Sequence, residues 1–274
     1  MDDLGRIRTM AHFMRCKILV ISHRCALSAH LGGGLSMVDI MATLYGGVLR
    51  IKPHDPHWED RDRFILSKGH GVLGHFTALL AAGLISEEVF ATFQTNESDL
   101  IAHPVINLDL GIESSNGSLG HGLSMAIGIA LAAKKKGKKF HSYVLLGDGE
   151  CNEGSVWEAV MLAGQLGLDN LTAIVDYNRL QSDGYSRAII EFGDLAAKFS
   201  CFGWNVCDID GHDLAQITEA FAQRFERKAP KMVVARTIKG KGVSFMENNN
   251  EWHHNRLTKA NYDLAMAEMG ARDA

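Results

Sequence analysis
The chain has 274 residues, 46% hydrophobic and 22% charged, with a formal net charge of -4, ordinary globular values that allow a sizeable core and give no general basis for binding nucleic acid. Five scattered cysteines with no CxxC spacing (Cys16, Cys25, Cys151, Cys201, Cys207) suit a reducing compartment and argue against a disulfide framework or a zinc site. No apolar run approaches the roughly 18 residues of a membrane span, and the start, MDDLGRIRTMAHFM, is acidic and then amphipathic rather than a secretory signal, so the expectation is a cytoplasmic protein with no membrane contact.

The elements follow in chain order. Helical spacing of Ile7, Met10, Met14, Ile18 and Ile21 predicts an opening helix over 4–21. SAHLGGGLS, 28–36, reads as a glycine-rich loop before a helix over about 37–50. A polar loop at 53–63 precedes a short strand or turn, FILS at 64–67, and a helix over about 71–83. Residues 96–120 read as a long loop rich in Gly, Ser and Asn, and loops of that length in compact domains are often functional. Beyond it the pattern is regular: helix 121–136, strand 142–147, helix 154–167, strand 171–176, helix 213–227, strand 232–237 and a terminal helix in KANYDLAMAEMGARDA. The basic run KKKGKK, 134–139, ends an apolar-periodic segment and reads as the last turn of a helix, where cations suit the dipole. Short β-rich runs alternating with helices predict an α/β fold, a doubly wound, mostly parallel sheet with helices on both faces, over one domain, 1–274.

In such folds ligands sit outside the carboxyl ends of the strands. GDGECNEG, 147–154, stands there. Asp148 offers a hard oxygen, the flanking glycines let a phosphate approach main-chain N–H groups, and the following helix points its N-terminus at the same place. A carboxylate beside a phosphate needs a bridging cation, and Mg²⁺ takes one or two protein oxygens plus phosphate oxygens. The next strand end supplies Asn178 in DYNRLQSDG, one strand-helix-strand repeat later.

GDG, about 28 residues and then Asn resembles the thiamine diphosphate signature, and nearly the whole chain resembles the N-terminal, pyrophosphate-binding part of a transketolase. SAHLGGGLS, FILSKGHG, IESSNGSLGHGLSMAIGIALA, GDGECNEGSVWEA and WHHN carry the likeness. The resemblance implies Mg²⁺ or Ca²⁺ on Asp148, Asn178 and the carbonyl of Leu180. It places His70, Gly117, Ser118, Leu119, Gly149, Glu150 and His254 at the cofactor, and Glu153 near the paired cofactor sites. His30, His70, His103 and His254 would orient substrate oxygens and shuttle protons, with His253 the alternative to His254. Departures from the family are Leu31 after His30, IAHPV around His103, and His121 in place of a common Gln. His12, His54, His57, His75 and His141 read as structural, and Cys151 as no nucleophile.

The activating Glu of this family lies in a second, pyrimidine-binding domain, for which the chain leaves no room. The resemblance therefore implies a split enzyme: a separate C-terminal subunit, an α₂β₂ heterotetramer, and transfer of a two-carbon ketol unit from a ketose phosphate to an aldose. The alternatives are a two-carbon transferase acting on a lipoyl or carrier-protein acceptor, a 2-oxo acid E1-type subunit, and a non-catalytic diphosphate-binding regulatory subunit.

Overall fold
The computed structural model describes residues 3–270. α1 (Asp3–Arg24) buries Ile7, Met14, Ile18 and Ile21, the predicted face. Two residues of strand, β1 (Ser28–Ala29), lead into α2 (Leu31–Ser36) and α3 (Val38–Thr43). The predicted loop over 28–36 is thus largely a buried helix. Glycine disfavours helix by about 1 kcal/mol, but close packing requires it here: a Cβ on Gly34 would sit 2.9 Å from Leu73 Cβ, and one on Gly32 2.9 Å from the Trp252 carbonyl oxygen. The predicted helix 37–50 divides at Thr43, where a wider turn, Leu44–Val48, takes over.

β2 (Arg63–Leu66) leads to α4 (Val72–Ala81) and the short α5 (Glu87–Phe90), capped by Ser86. The predicted long loop follows, with a single 3₁₀ turn at Leu108–Leu110. The regular part runs α6 (Gly122–Lys135), β3 (Ser142–Gly147), α7 (Gly154–Leu166) and β4 (Leu171–Tyr177). It continues with α8 (Ser186–Ile189), α9 (Leu195–Cys201), β5 (Asn205–Asp210), α10 (Leu214–Ala222) and β6 (Lys231–Arg236). β7 (Asn255–Arg256) and α11 (Lys259–Glu268) close it, and residues 271–274 of the predicted terminal helix lie outside the described residues.

Five strands form one parallel sheet in the order β2-β3-β4-β6-β5. Its strands bury alternate residues in two cores. Leu66, Leu145, Ile174 and Val233 meet α1 to α4 and α10, while Ile65, Val144, Val175 and Val234 meet α6, α7 and α9. This is the predicted α/β architecture with helices on both faces. β5 was not predicted: NVCDID is a polar edge strand with only Cys207 buried, and it lacks the continuous apolar run of a central parallel strand. α10 stops at Ala222 rather than 227 because the Lys231 ammonium donates to the carbonyls of Ala220, Phe221 and Gln223, capping the helix end. A second unpredicted feature is an antiparallel clip in which Ser28 pairs with Arg256 and Ala29 with Asn255.

Candidate active site
The β3–β4 register sets Gly147 opposite Asp176, so the turns after both strands emerge side by side. Asp176, fully buried, accepts from Ser36 Oγ at 2.6 Å, from Asn178 Nδ2 at 3.2 Å and from Thr237 Oγ1. It also pairs with the ammonium of Lys68, which is equally buried and donates to the Gly33 carbonyl at 2.8 Å. Burial alone would raise the Asp176 carboxyl; the Lys68 charge and these donors hold it below the ordinary carboxylate range.

Asp148 follows β3 and is buried. Its Oδ2 accepts from Ser186 Oγ at 2.7 Å. Burial, aided by the nearby Asp176 charge, pushes its pKa up to about 6 despite that bond. Asn178 turns its Oδ1 onto the Leu180 N–H at 3.1 Å. The Leu180 carbonyl accepts from Lys239 Nζ at 3.2 Å. Among the described residues no three His, Cys, Asp or Glu side chains are placed to hold a metal. A cation here would rest on one carboxylate with amide and main-chain oxygens, a set suited to Mg²⁺ or Ca²⁺.

Glu150 turns inward. Its Oε1 accepts from Ser67 Oγ at 2.5 Å and from the Gly120 N–H at 2.9 Å, and its Oε2 from the Gly147 N–H at 3.0 Å. The carboxylate thereby ties three motif loops together: the end of the β2 loop, the GSLG turn and the GDG turn. Gly122 permits the approach, since a Cβ there would lie 2.7 Å from Ser67 Cα. Gly117, Ser118 and Glu153 are exposed, and Leu119 and Gly149 are half-buried. A Cβ on Gly149 would press on Gln181, whose buried Nε2 has no partner among the described residues.

The histidines form one wall. The His30 ring is central, 5.5 Å from His70, 5.8 Å from His103, 5.3 Å from His253 and 4.5 Å from His254. The β1–β7 clip makes this possible by holding the segment before His30 against the segment after His254. The neighbouring histidines differ. His253 is half-buried with its Nδ1 2.7 Å from Lys239 Nζ, while His254 is exposed. Burial first, then the charges of His254, His253, His103 and Lys239, push His30 down to about 3. Burial and Lys239 push His253 to about 4. Burial and Lys68 hold His70 well below the ordinary histidine value, and His103 is lowered by burial and His254. Neutral imidazoles each offer one donor and one acceptor, which matches a hydroxyl- and carbonyl-rich ligand.

These depressed values carry a sign for stability. Between about 3 and 6.5 the unfolded chain binds protons at His30 that the folded chain refuses, so stability falls as pH drops through that window. His30→Gln should flatten the acid side of a melting-temperature profile measured from pH 7.5 to 5. A variant profile parallel to that of the unmodified chain would contradict the assignment.

Sequence reasoning missed Lys68, Lys239, Gln181, Ser36 and Ser186. Lys68 had a signal, a lysine wedged between an apolar strand and a Gly-His-Gly turn. Lys239, in TIKGKG, had none of that kind. Of the histidines read as structural, His75 bonds Tyr45 Oη at 3.1 Å and His141 bonds Thr172 Oγ1 at 2.8 Å.

The chain matches the family described as "Transketolase, thiamine diphosphate binding domain" over residues 10–273. It is 40% identical over 248 residues to one subunit of the apulose-4-phosphate transketolase of Phocaeicola vulgatus, covering 90% of this chain and 88% of that one. It is 41% identical over 242 residues to the 6-deoxy-6-sulfo-D-fructose transketolase subunit SqwG of a Clostridium species, covering 88% of each. The transketolase structure from Leishmania mexicana superposes with a TM-score of 0.89 at 30% identity, over 96% of this chain and 41% of that one. The chain therefore belongs to the transketolase family, as an N-terminal, thiamine diphosphate-binding subunit of the split kind, a transferase.

Proposed function
We propose that residues 1–274 form a single pyrophosphate-binding domain working with a separate C-terminal, pyrimidine-binding subunit, in a cytoplasmic α₂β₂ assembly. Thiamine diphosphate would be held through Mg²⁺ or Ca²⁺ on Asp148, Asn178 and the Leu180 carbonyl, with Gly117, Ser118, Leu119, Gly149, Glu153 and His70 around it. The observation carrying this reading is the strand-end pair: a buried carboxylate, Asp148, whose pKa stands near 6, beside the oxygens of the Asn178 turn. The Gln181 Nε2 in the same cleft, unpartnered among the described residues, is a donor that a polar ligand would satisfy. Glu150 serves this site as the clasp between loops, its oxygens already used by protein donors.

Bound thiamine diphosphate supplies the carbanion and electron sink for cleaving a bond beside a carbonyl. The chain's own residues do the rest. His30, at the centre of the wall, and His103 beside it orient donor oxygens, and neutral rings there accept and return a hydroxyl proton. His70 and His253 flank the His30 ring, and His254 is the exposed member of the wall. The relatives are named for a ketose phosphate and a sulfo-sugar. The proposed donor is accordingly a ketose with an anionic terminus, its phosphate or sulfonate contacted mainly by the partner. A diphosphate-binding regulator would have no use for five converging histidines, which favours the enzyme.

The test pairs this chain with a candidate partner and follows ketol transfer from ketose phosphates in the presence of thiamine diphosphate and Mg²⁺. Turnover is expected from the pair and from neither chain by itself. Robust turnover by this chain in isolation would overturn the split arrangement.

A further inference from the structure
His212 lies in the short turn between β5 and α10, away from the histidine wall, yet both of its ring nitrogens are engaged. Nδ1 is 2.8 Å from Asp39 Oδ2, and Nε2 accepts from the Ile238 N–H at 2.8 Å. A main-chain N–H can only donate, so Nε2 carries the lone pair and Nδ1 the proton. Asp39, buried on α3, also receives Arg15 Nη2 at 2.5 Å, and Arg15 Nε donates to the Lys241 carbonyl at 3.4 Å. Burial would raise the Asp39 carboxyl, but the His212 bond and the Arg15 charge outweigh it and hold it below the ordinary range.

The segment these groups grip, 237–242, carries Lys239. It is pinned on its other side by the Gly240 N–H donating to the Gly32 carbonyl at 3.0 Å and the Asn248 N–H donating to the Lys239 carbonyl at 2.9 Å. From that strap the Lys239 ammonium reaches the Leu180 and Gln181 carbonyls and His253 Nδ1. We propose that His212 is a positioning residue: as a neutral Nδ1–H ring braced by Asp39 and Arg15, it fixes the 237–242 strap and so sets Lys239 at the cofactor cleft. This deepens the function proposed above and rests on it for the cofactor's identity.

The test compares His212→Leu, which removes both bonds, with His212→Gln, whose amide keeps one donor and one acceptor. In the full chain without cofactor, His212→Leu should speed exchange of the Ile238 and Gly240 amides about tenfold, leaving β3 and β4 amides unchanged, and His212→Gln should restore most of the protection. In the assembled enzyme with Mg²⁺, the affinity for thiamine diphosphate should follow the same order. Nitrogen NMR of the unmodified chain at pH 7.5 should show Nδ1 protonated and Nε2 bare. An Nε2–H or doubly protonated ring, a uniform rise in exchange across the sheet, or no change at the strap would overturn the proposal. A Leu variant that does not fold leaves the decision to the NMR spectrum and the Gln variant. Absence of thiamine diphosphate binding by the unmodified enzyme would refute the cofactor reading separately, because the exchange and NMR arms need no cofactor.

Discussion
Lys68→Met is expected to destabilise the chain by about 3–5 kcal/mol, the usual penalty for leaving a buried charge without its partner. At about 2–4 °C per kcal/mol, the melting temperature should drop by about 6–20 °C. The reason is geometric. Lys68 and Asp176 have side chains 1% and 0% exposed, and removing the ammonium leaves the carboxylate in the core with neutral donors only. Methionine fills the space, so the loss reads charge rather than cavity. Adding Asp176→Asn should recover part of the stability, since an amide still bonds Ser36 or Thr237 while carrying no charge. The argument fails if the double variant is as unstable as the two single losses summed, because the pair would then be uncoupled.

Asp148→Asn is expected to separate folding from function. A buried acid raised from 3.8 to about 6 contributes stability that is full below 3.8 and lost as pH climbs through 6. At pH 8 the unmodified chain, free of cation, bears the cost of that buried negative charge, on the order of 2–3 kcal/mol. Asparagine removes the charge and can keep a bond to Ser186, so the variant should melt at or above the unmodified chain. Its affinity for thiamine diphosphate with Mg²⁺ should nevertheless fall by more than the roughly 10–100-fold that follows loss of a group behind a metal ligand. Calorimetric titration at pH 8 with and without Mg²⁺ reads both. Binding within a fewfold of normal, still dependent on the metal, would remove Asp148 from the cation's ligands.

How far the sequence carried this picture differs by element. β3 and β4 were legible because a parallel strand covered on both faces is a continuous apolar run, and YVLLG and LTAIVD are such runs. β5 was not, because an edge strand keeps polar residues. LGGGLS misled because glycine signals a turn when read alone, and its packing against Leu73, His70 and Trp252 is visible only in three dimensions. At the site, His30, His70, His103 and the doubled histidine stood in recognisable motifs, and the fold brings them together. The buried lysines were missed, Lys68 despite its place between an apolar strand and a Gly-His-Gly turn. A lysine in sequence reads as surface, and the burial of Lys68 and Lys239 depends on partners far along the chain, Asp176 for one and the Leu180 turn for the other. Glu150 illustrates a related gap: its motif position pointed to the cofactor and gave no sign that its oxygens join three loops.

The clip between Ser28–Ala29 and Asn255–Arg256 has a consequence for how the protein is made. On the ribosome, His30 emerges early and waits while the sheet forms, because its mates His253 and His254 are translated only after β6. A nascent chain can therefore complete its parallel core, and bury Lys68 against Asp176, before the histidine wall exists. Closure of the histidine wall becomes the last event of folding rather than an early one. A chain cut short before residue 253 would keep the sheet and the Asp148–Asn178 strand ends, and would lose His253, His254 and the clip that holds the segment before His30 in place.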